Sequence, residues 1–193
     1  MSNICVFCGS SSGSDPAFRA AAAELGAVIA SNGHGLVYGG GDVGLMGVIA
    51  DSVLEAGGTV TGVITEQLLA LEVDHVNLTN LEVAPDMHTR KARMAELSDG
   101  VVVLPGGFGT YEEAFEVLTW NQLGIVSAPI AFLDVDVGGR SFFASLFEFI
   151  DGAVAAGFMK PGHGELAQRA TDAAAAVAIA AGPAPAFTRK WVG

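Results

Sequence analysis

The amino-acid sequence predicts an α/β domain, a mostly parallel sheet with helices on both faces. Short, nearly continuous apolar runs containing β-branched or aromatic residues alternate with segments of helical period, the pattern of doubly covered strands and their crossovers. Three of these runs lead into glycine- or serine-rich loops, which suit sharp turns from strand to helix. The 193 residues are 51% hydrophobic, enough for one sizeable core.

Taken in order, 3-NICVFC-8 reads as a strand and 16-PAFRAAAAELGAVIASN-32 as its crossover helix. A second strand, 35-GLVYG-39, precedes a helix at 45-LMGVIADSVLEAG-57, and a third, 59-TVTGVI-64, is followed by a fourth, 78-LTNLEV-83. The remaining runs, 100-GVVVLP-105 and 129-PIAFLD-134, alternate with helical periods over residues 86–99, 110–124, 141–157 and 171–182. Right-handed crossovers between such strands give a doubly wound, Rossmann-like sheet, in which ligands bind beyond the carboxyl ends of the strands. The expected organisation is one domain over residues 1–182 with a C-terminal tail over 183–193.

Charge and termini narrow the function. A net charge of -12 with pI near 4.5 argues against nucleic acid or an anionic membrane as partner and favours a small ligand. The N-terminus lacks the pattern of a secretory leader, and 173-AAAAVAIAA-181 is far shorter than a membrane span, so a cytoplasmic location is expected. Cys5 and Cys8 form a C-x-x-C within one strand, where residues three apart face opposite ways; they read as buried strand thiols. No pair among His34, His75, His88 and His163 has metal-ligand spacing on a helix, and no metal or cofactor is called for.

The chemistry concentrates in the loops. In 105-PGGFGTYEE-113 the glycines and a helix N-terminus make a plausible phosphate cradle. Thr110 and Glu113 equally fit a capping box, so a purely structural role for Glu113 stays open here. The stretch 39-GGGDVG-44 matches G-x-G-x-x-G between strand and helix, yet the acid expected about 20 residues on is not cleanly present. In 9-GSSSG-13, Ser11 has the spacing of an esterase nucleophile, while the serines could instead hydrogen-bond a phosphate or ribose. The basic cluster 88-HTRKAR-93 places Arg90 on a stripe with Met87, Met94 and Leu97; an Arg drawn toward the interior meets a carboxylate or a phosphate. Arg93 can pair with Glu96 on the solvated face. Lys91 lacks a recognisable Schiff-base context.

Together, 39-GGGDVGLMG-47, 62-GVI-64, 86-DMHTRKARM-94 and 105-PGGFGTYEE-113 resemble the Lonely Guy (LOG) family of cytokinin-activating phosphoribohydrolases, some of whose members carry a lysine decarboxylase label. The likeness runs from residue 4 to residue 158. It implies hydrolysis of the N-glycosidic bond of a nucleoside 5'-monophosphate, plain or N-prenylated AMP, to free base and ribose 5-phosphate, with no cofactor. Carried over by position, Arg90 and Glu113 are the catalytic candidates; Gly106, Gly107, Gly109 and Thr110 match the phosphate and ribose loop; Glu72, Lys91 and Glu112 match nucleotide contacts. Gly9, Ser10, Gly40, Gly41 and Met87 complete the substrate-binding candidates. The chain departs from the family at 127-SAPIAF-132 and 138-GGRSFF-143, which bears on substrate preference and subunit contacts. The resemblance also implies a homodimer, for which Phe115, Trp120 and Leu123 are candidate interface residues. A non-catalytic nucleotide sensor of the same fold, and a nicotinamide-dependent oxidoreductase using residues 39–44, are the competing readings.

Overall fold

The computed structural model describes residues 2–70, 75, 77–183 and 186. The elements that form the main sheet and its covers are β1 (Asn3–Phe7), α1 (Pro16–Ser31), β2 (Gly35–Tyr38), α2 (Gly44–Glu55), β3 (Val60–Thr65), α3 (Glu66–Leu69), β4 (Asn80–Ala84), α4 (Met87–Glu96), β5 (Gly100–Val103), α5 (Phe108–Leu123) and β6 (Ile130–Leu133). A hairpin, β7 (Asp136–Val137) with β8 (Arg140–Ser141), then leads to α6 (Ala144–Ala155), α7 (Pro161–Gly164), β9 (Ala167–Ala170) and α8 (Ala173–Ala180). The expected tail over 183–193 lies almost wholly outside the described residues.

Seven strands form one sheet in the order β4-β3-β2-β1-β5-β6-β9. Every pairing in it is parallel, and the antiparallel element is the short β7–β8 hairpin. The chain winds outward from β1 to β4, then returns to pair β5 with β1 on its other side. The gap between the carboxyl ends of β1 and β5 is therefore the topological switch point, where the crossovers diverge to opposite faces and leave a crevice.

Alternation along the strands divides the interior in two. Ile4 and Val6 of β1 pack with Leu25, Ile29, Ile49 and Val177 beneath α1, α2 and α8. Cys5 and Phe7 face the other way, toward Met94, Ala114, Val117 and Ile150 of α4, α5 and α6. Cys8 packs against the first of these clusters and Cys5 lies in the second, so the C-x-x-C thiols sit on opposite faces of the sheet. Both are free, and burial pushes both thiols far above the ordinary range.

Local chemistry sets the helix ends. Asp15, Asp86 and Asp172 accept the amides of Ala17, Thr89 and Ala175 at 2.9, 2.8 and 2.8 Å, capping α1, α4 and α8. Gly124 ends α5 in the left-handed conformation at φ 70, where glycine carries no Cβ penalty. At the start of β5 a Cβ on Gly100 would stand 1.9 Å from the Ala180 carbonyl oxygen, so α8 seats directly on this strand because residue 100 has no side chain. Gly100→Ala is expected to lower stability by roughly 1–3 kcal/mol through that clash. Urea unfolding checks it, and an unchanged midpoint would show that α8 shifts without cost.

Candidate active site

Three loops converge at the switch point. The Gly9 amide donates to the Pro105 carbonyl at 3.1 Å, and the Leu45 amide donates to the Gly9 carbonyl at 3.0 Å. They approach closely because of what glycine lacks. A Cβ on Gly106 would lie 2.1 Å from Thr110 Oγ1, and one on Gly44, at φ +65, would lie 2.3 Å from the Ser10 carbonyl carbon. Gly107 forms the N-cap of α5 without any side-chain cap, and a Cβ there would meet nothing within 4 Å. The unpaired amides of this helix start thus open onto a cavity of about 340 Å³, bounded by the 9–13 loop, Gly106, Gly107, Phe18 and Phe142.

The helix start settles the question of capping. Since α5 begins at Phe108, Thr110 is its third residue and Glu113 its sixth, with no acid in the first turn. The capping-box expectation is therefore wrong: Thr110 is buried under Gly106, and Glu113 points to α4. Its Oε1 accepts Arg90 Nη1 at 3.0 Å. Arg90 is 7% exposed; its Nε donates to the Val63 carbonyl at 2.8 Å and its Nη1 also reaches Met87 Sδ at 3.4 Å. A Cβ at Gly39 would lie 2.5 Å from Arg90 Nη2, so the first glycine of 39-GGGDVG-44 makes room for a guanidinium. That accounts for Gly39 without a dinucleotide.

Burial pushes the Glu113 carboxyl above the ordinary glutamate range, and Arg90 pulls it down without cancelling the effect. The carboxylate stands at a second cavity of about 260 Å³ between α4 and α5, floored by Cys5, Phe7 and Val101 and walled by Met94, Val117 and Trp120. Alongside, Lys91 pairs with Glu112 and, at 3.0 Å, with Glu116. Burial depresses Lys91, but hydrogen bonds to these two acids outweigh it and hold the ammonium above the usual lysine value. An amine kept protonated in this way is a poor Schiff-base nucleophile.

The other expected positions divide. Gly9, Ser10, Gly106 and Gly107 share the first cavity, and Gly109 is exposed on α5 with open space at its Cα. A Cβ on Gly40, at φ +81, would meet Ile64 and Leu81, and Gly41 is buried beside it in sequence. Met87 is 41% exposed beside Arg90. Glu72 lies outside the described residues. Ser11 Oγ accepts the Gly13 amide at 3.3 Å, and no imidazole bonds it among the described residues. Arg93 does pair with Glu96, at 3.1 Å, and also with Glu82 at 2.7 Å.

Sequence reasoning missed three contributors. Glu116 lies one helical turn beyond Glu112, a spacing that could have marked it as the second partner of Lys91. The Val63 carbonyl has no sequence signal. His75 is 5% exposed and lies 3.0 Å from Asp51 and 3.7 Å from Asp42 of the glycine loop. With His75 Nδ1 facing the Asn77 amide at 3.4 Å, Nε2 carries the proton that Asp51 accepts.

An uncapped helix start at the switch point, next to a buried carboxylate held by an Arg, gives a Rossmann-like domain whose site suits an anionic ligand. The comparisons with known proteins make the class specific. A family model described as "Possible lysine decarboxylase" matches residues 46–180. A rice (Oryza sativa subsp. japonica) protein described as a probable cytokinin riboside 5'-monophosphate phosphoribohydrolase is 46% identical over 170 residues, covering 88% of this chain and 73% of the relative. A cytokinin riboside 5'-monophosphate phosphoribohydrolase of Arabidopsis thaliana is 46% identical over 158 residues, covering 82% and 72%. The chain belongs to the Lonely Guy family. In fold it is also similar to the molybdenum cofactor carrier protein of Chlamydomonas reinhardtii, with a TM-score of 0.68 at 24% identity over 92% of this chain and 94% of that one.

The raised Glu113 carboxyl makes a stability prediction. The native state holds this proton more tightly than the unfolded chain does, so Glu113's contribution to stability falls as pH rises from the ordinary glutamate value through the raised one. Glu113→Gln removes that penalty. Its stability relative to wild type should be more favourable at about pH 8 than at about pH 4; urea titrations at the two pH values giving the same difference would contradict a desolvated carboxyl.

Proposed function

We propose that this chain hydrolyses the N-glycosidic bond of a cytokinin-type nucleoside 5'-monophosphate, releasing the free base and ribose 5-phosphate. The observation that carries the reading is the placement of Glu113 on the helix whose N-terminus faces the glycine cavity. Five residues separate Phe108 from Glu113, roughly 7–8 Å along the axis. A 5'-phosphate on the α5 amides would bring its ribose to the carboxylate, both fixed to one rigid element. The names of its relatives support the same reading.

In the proposed reaction the bond from C1' to the base nitrogen breaks, its electron pair leaves with the base, and water supplies the new C1'–O bond. Positive charge develops on the sugar, where Glu113 stabilises it and takes the proton from the attacking water, as carboxylates do in glycoside hydrolysis. The departing base takes up one proton from solvent, and Glu113 returns to solvent the one it took from water, so that the hydrogens of water end one on the sugar hydroxyl and one on the base. Arg90 keeps Glu113 oriented through its hydrogen bond and favours the ionised form against the effect of burial. Glu112 and Lys91, paired with each other, are proposed to contact the nucleotide from the same face. The domain is taken to act as a cytoplasmic homodimer. Phe115 and Leu123 of α5 are 38% and 42% exposed, which supports that helix as the interface, whereas Trp120 lines the cavity between α4 and α5. No helix among the described residues is long and apolar enough to cross a membrane.

The test is chromatographic: purified protein with AMP and, separately, isopentenyl-AMP, quantifying base and ribose 5-phosphate. Glu113→Gln should lower turnover by roughly 10²–10⁴ with far-UV circular dichroism unchanged, and Arg90→Ala should lower it comparably. Nucleotide binding without base release from wild type would replace hydrolysis with the sensor reading. Wild-type turnover in both folded variants would remove this pair from the chemistry.

A further inference from the structure

Four cations of this protein are committed to carboxylates. Arg90 pairs with Glu113, Lys91 with Glu112 and Glu116, Arg93 with Glu82 and Glu96, and Arg169 with Asp134. Arg19 is different. It is exposed on the first turn of α1, where no carboxylate pairs with it among the described residues, and its Nη1 donates to Ser12 Oγ at 2.9 Å. Ser12 is part of the wall of the cavity onto which the α5 amides open.

That position is electrostatically unfavourable for the helix. A cation in a helix's first turn opposes the macrodipole and faces unpaired amide donors. The N-terminus of α1 is already capped by Asp15, so Arg19 adds nothing to the cap. A dianion in the cavity would reverse the balance, turning two adjacent positive elements from mutual repulsion to shared attraction. Ser12 reinforces this, because an oxygen that accepts from Arg19 leaves its own O–H free to donate into the cavity. The need is also general: a chain of net charge -12 repels an anionic ligand at long range.

We propose that Arg19 is a positioning residue for the 5'-phosphate of the substrate, holding Ser12 at the wall of the glycine cradle and placing a cation beside it. This rests on the phosphoribohydrolase reading above and adds to it a side-chain cation, supplied by α1, for a phosphate otherwise held by backbone amides. Arg19 acts on binding and leaves the chemical step to Glu113.

The experiment compares wild type with Arg19→Ala, Arg19→Glu and Arg19→Lys, reading KM and kcat for AMP, the affinity for ribose 5-phosphate by calorimetry, and melting temperature. Arg19→Ala should raise KM and weaken ribose 5-phosphate roughly five- to twentyfold with kcat little changed; Arg19→Glu should do more, and Arg19→Lys should recover part. Melting temperature should stay level or rise, since the cation opposes its own helix, which a merely structural arginine would not do. Unchanged KM and ribose 5-phosphate affinity in both Arg19→Ala and Arg19→Glu would overturn the proposal. If wild type cleaves no nucleotide, the phosphoribohydrolase reading fails, yet ribose 5-phosphate binding that weakens in Arg19→Ala still upholds Arg19 in that role. Wild type that binds neither AMP nor ribose 5-phosphate would overturn both.

Discussion

The site depends on one buried guanidinium. Taking Arg90 out of water carries a desolvation penalty of several kcal/mol, and it is offset only where each donor finds an acceptor. The Val63 carbonyl and the Glu113 carboxylate supply two of these acceptors, and Gly39 supplies the space. One side chain on α4 therefore ties the end of β2, the body of β3 and the second turn of α5 into a single arrangement. Loss of any of the three leaves a buried charge partly unsatisfied, so the geometry is fixed by the cost of the alternatives as much as by attraction.

Around this anchor, the groups proposed for binding and those proposed for chemistry differ in kind. The cradle is backbone: Gly9, Gly44 and Gly106 let three loops approach more closely than any side chain allows, leaving the amides of α5 open. Fixed amide dipoles can meet an anion without titrating and without losing side-chain entropy. The charged groups are on α4 and α5, where Arg90 and Lys91 face Glu112, Glu113 and Glu116. Lys91 balances much of the acidic charge next to Glu113, which limits the repulsion that three clustered carboxylates would impose on an anionic ligand.

Much of this was legible in the chain. Buried parallel strands announce themselves as unbroken apolar runs, and all six expected strands and six expected helices occur, with ends displaced by a few residues. The edge strand β9 escaped because 167-AQRA-170 has no such run: it pairs on one side only, and Arg169 reaches out to Asp134. Residues 110–113 misled for a different reason. The capping-box spacing is real, but helix α5 starts at Phe108, after an N-cap glycine, Gly107, whose lack of a side chain leaves the amides exposed. Spacing shows that two groups can meet; it does not show which of several partners a third element brings near. Nothing local marks the Val63 carbonyl or the proximity of His75 to Asp51, because both depend on how β3 and α2 lie in the assembled sheet.

The opposing influences on Glu113 are coherent with the chemistry proposed for it. Burial pushes this carboxyl toward its neutral form at one limit, and full pairing in water would favour an ionised but well solvated and weakly basic group at the other. The structure holds it between these limits, 15% exposed and bonded to Arg90 through one oxygen. A poorly solvated carboxylate interacts strongly with positive charge that appears beside it. In the ground state of a nucleotide the sugar carries no such charge, and at the transition state of glycosidic cleavage it does. The same desolvation that burdens the resting protein would then be relieved as the bond to the base breaks, so that Glu113 favours the transition state over the bound substrate.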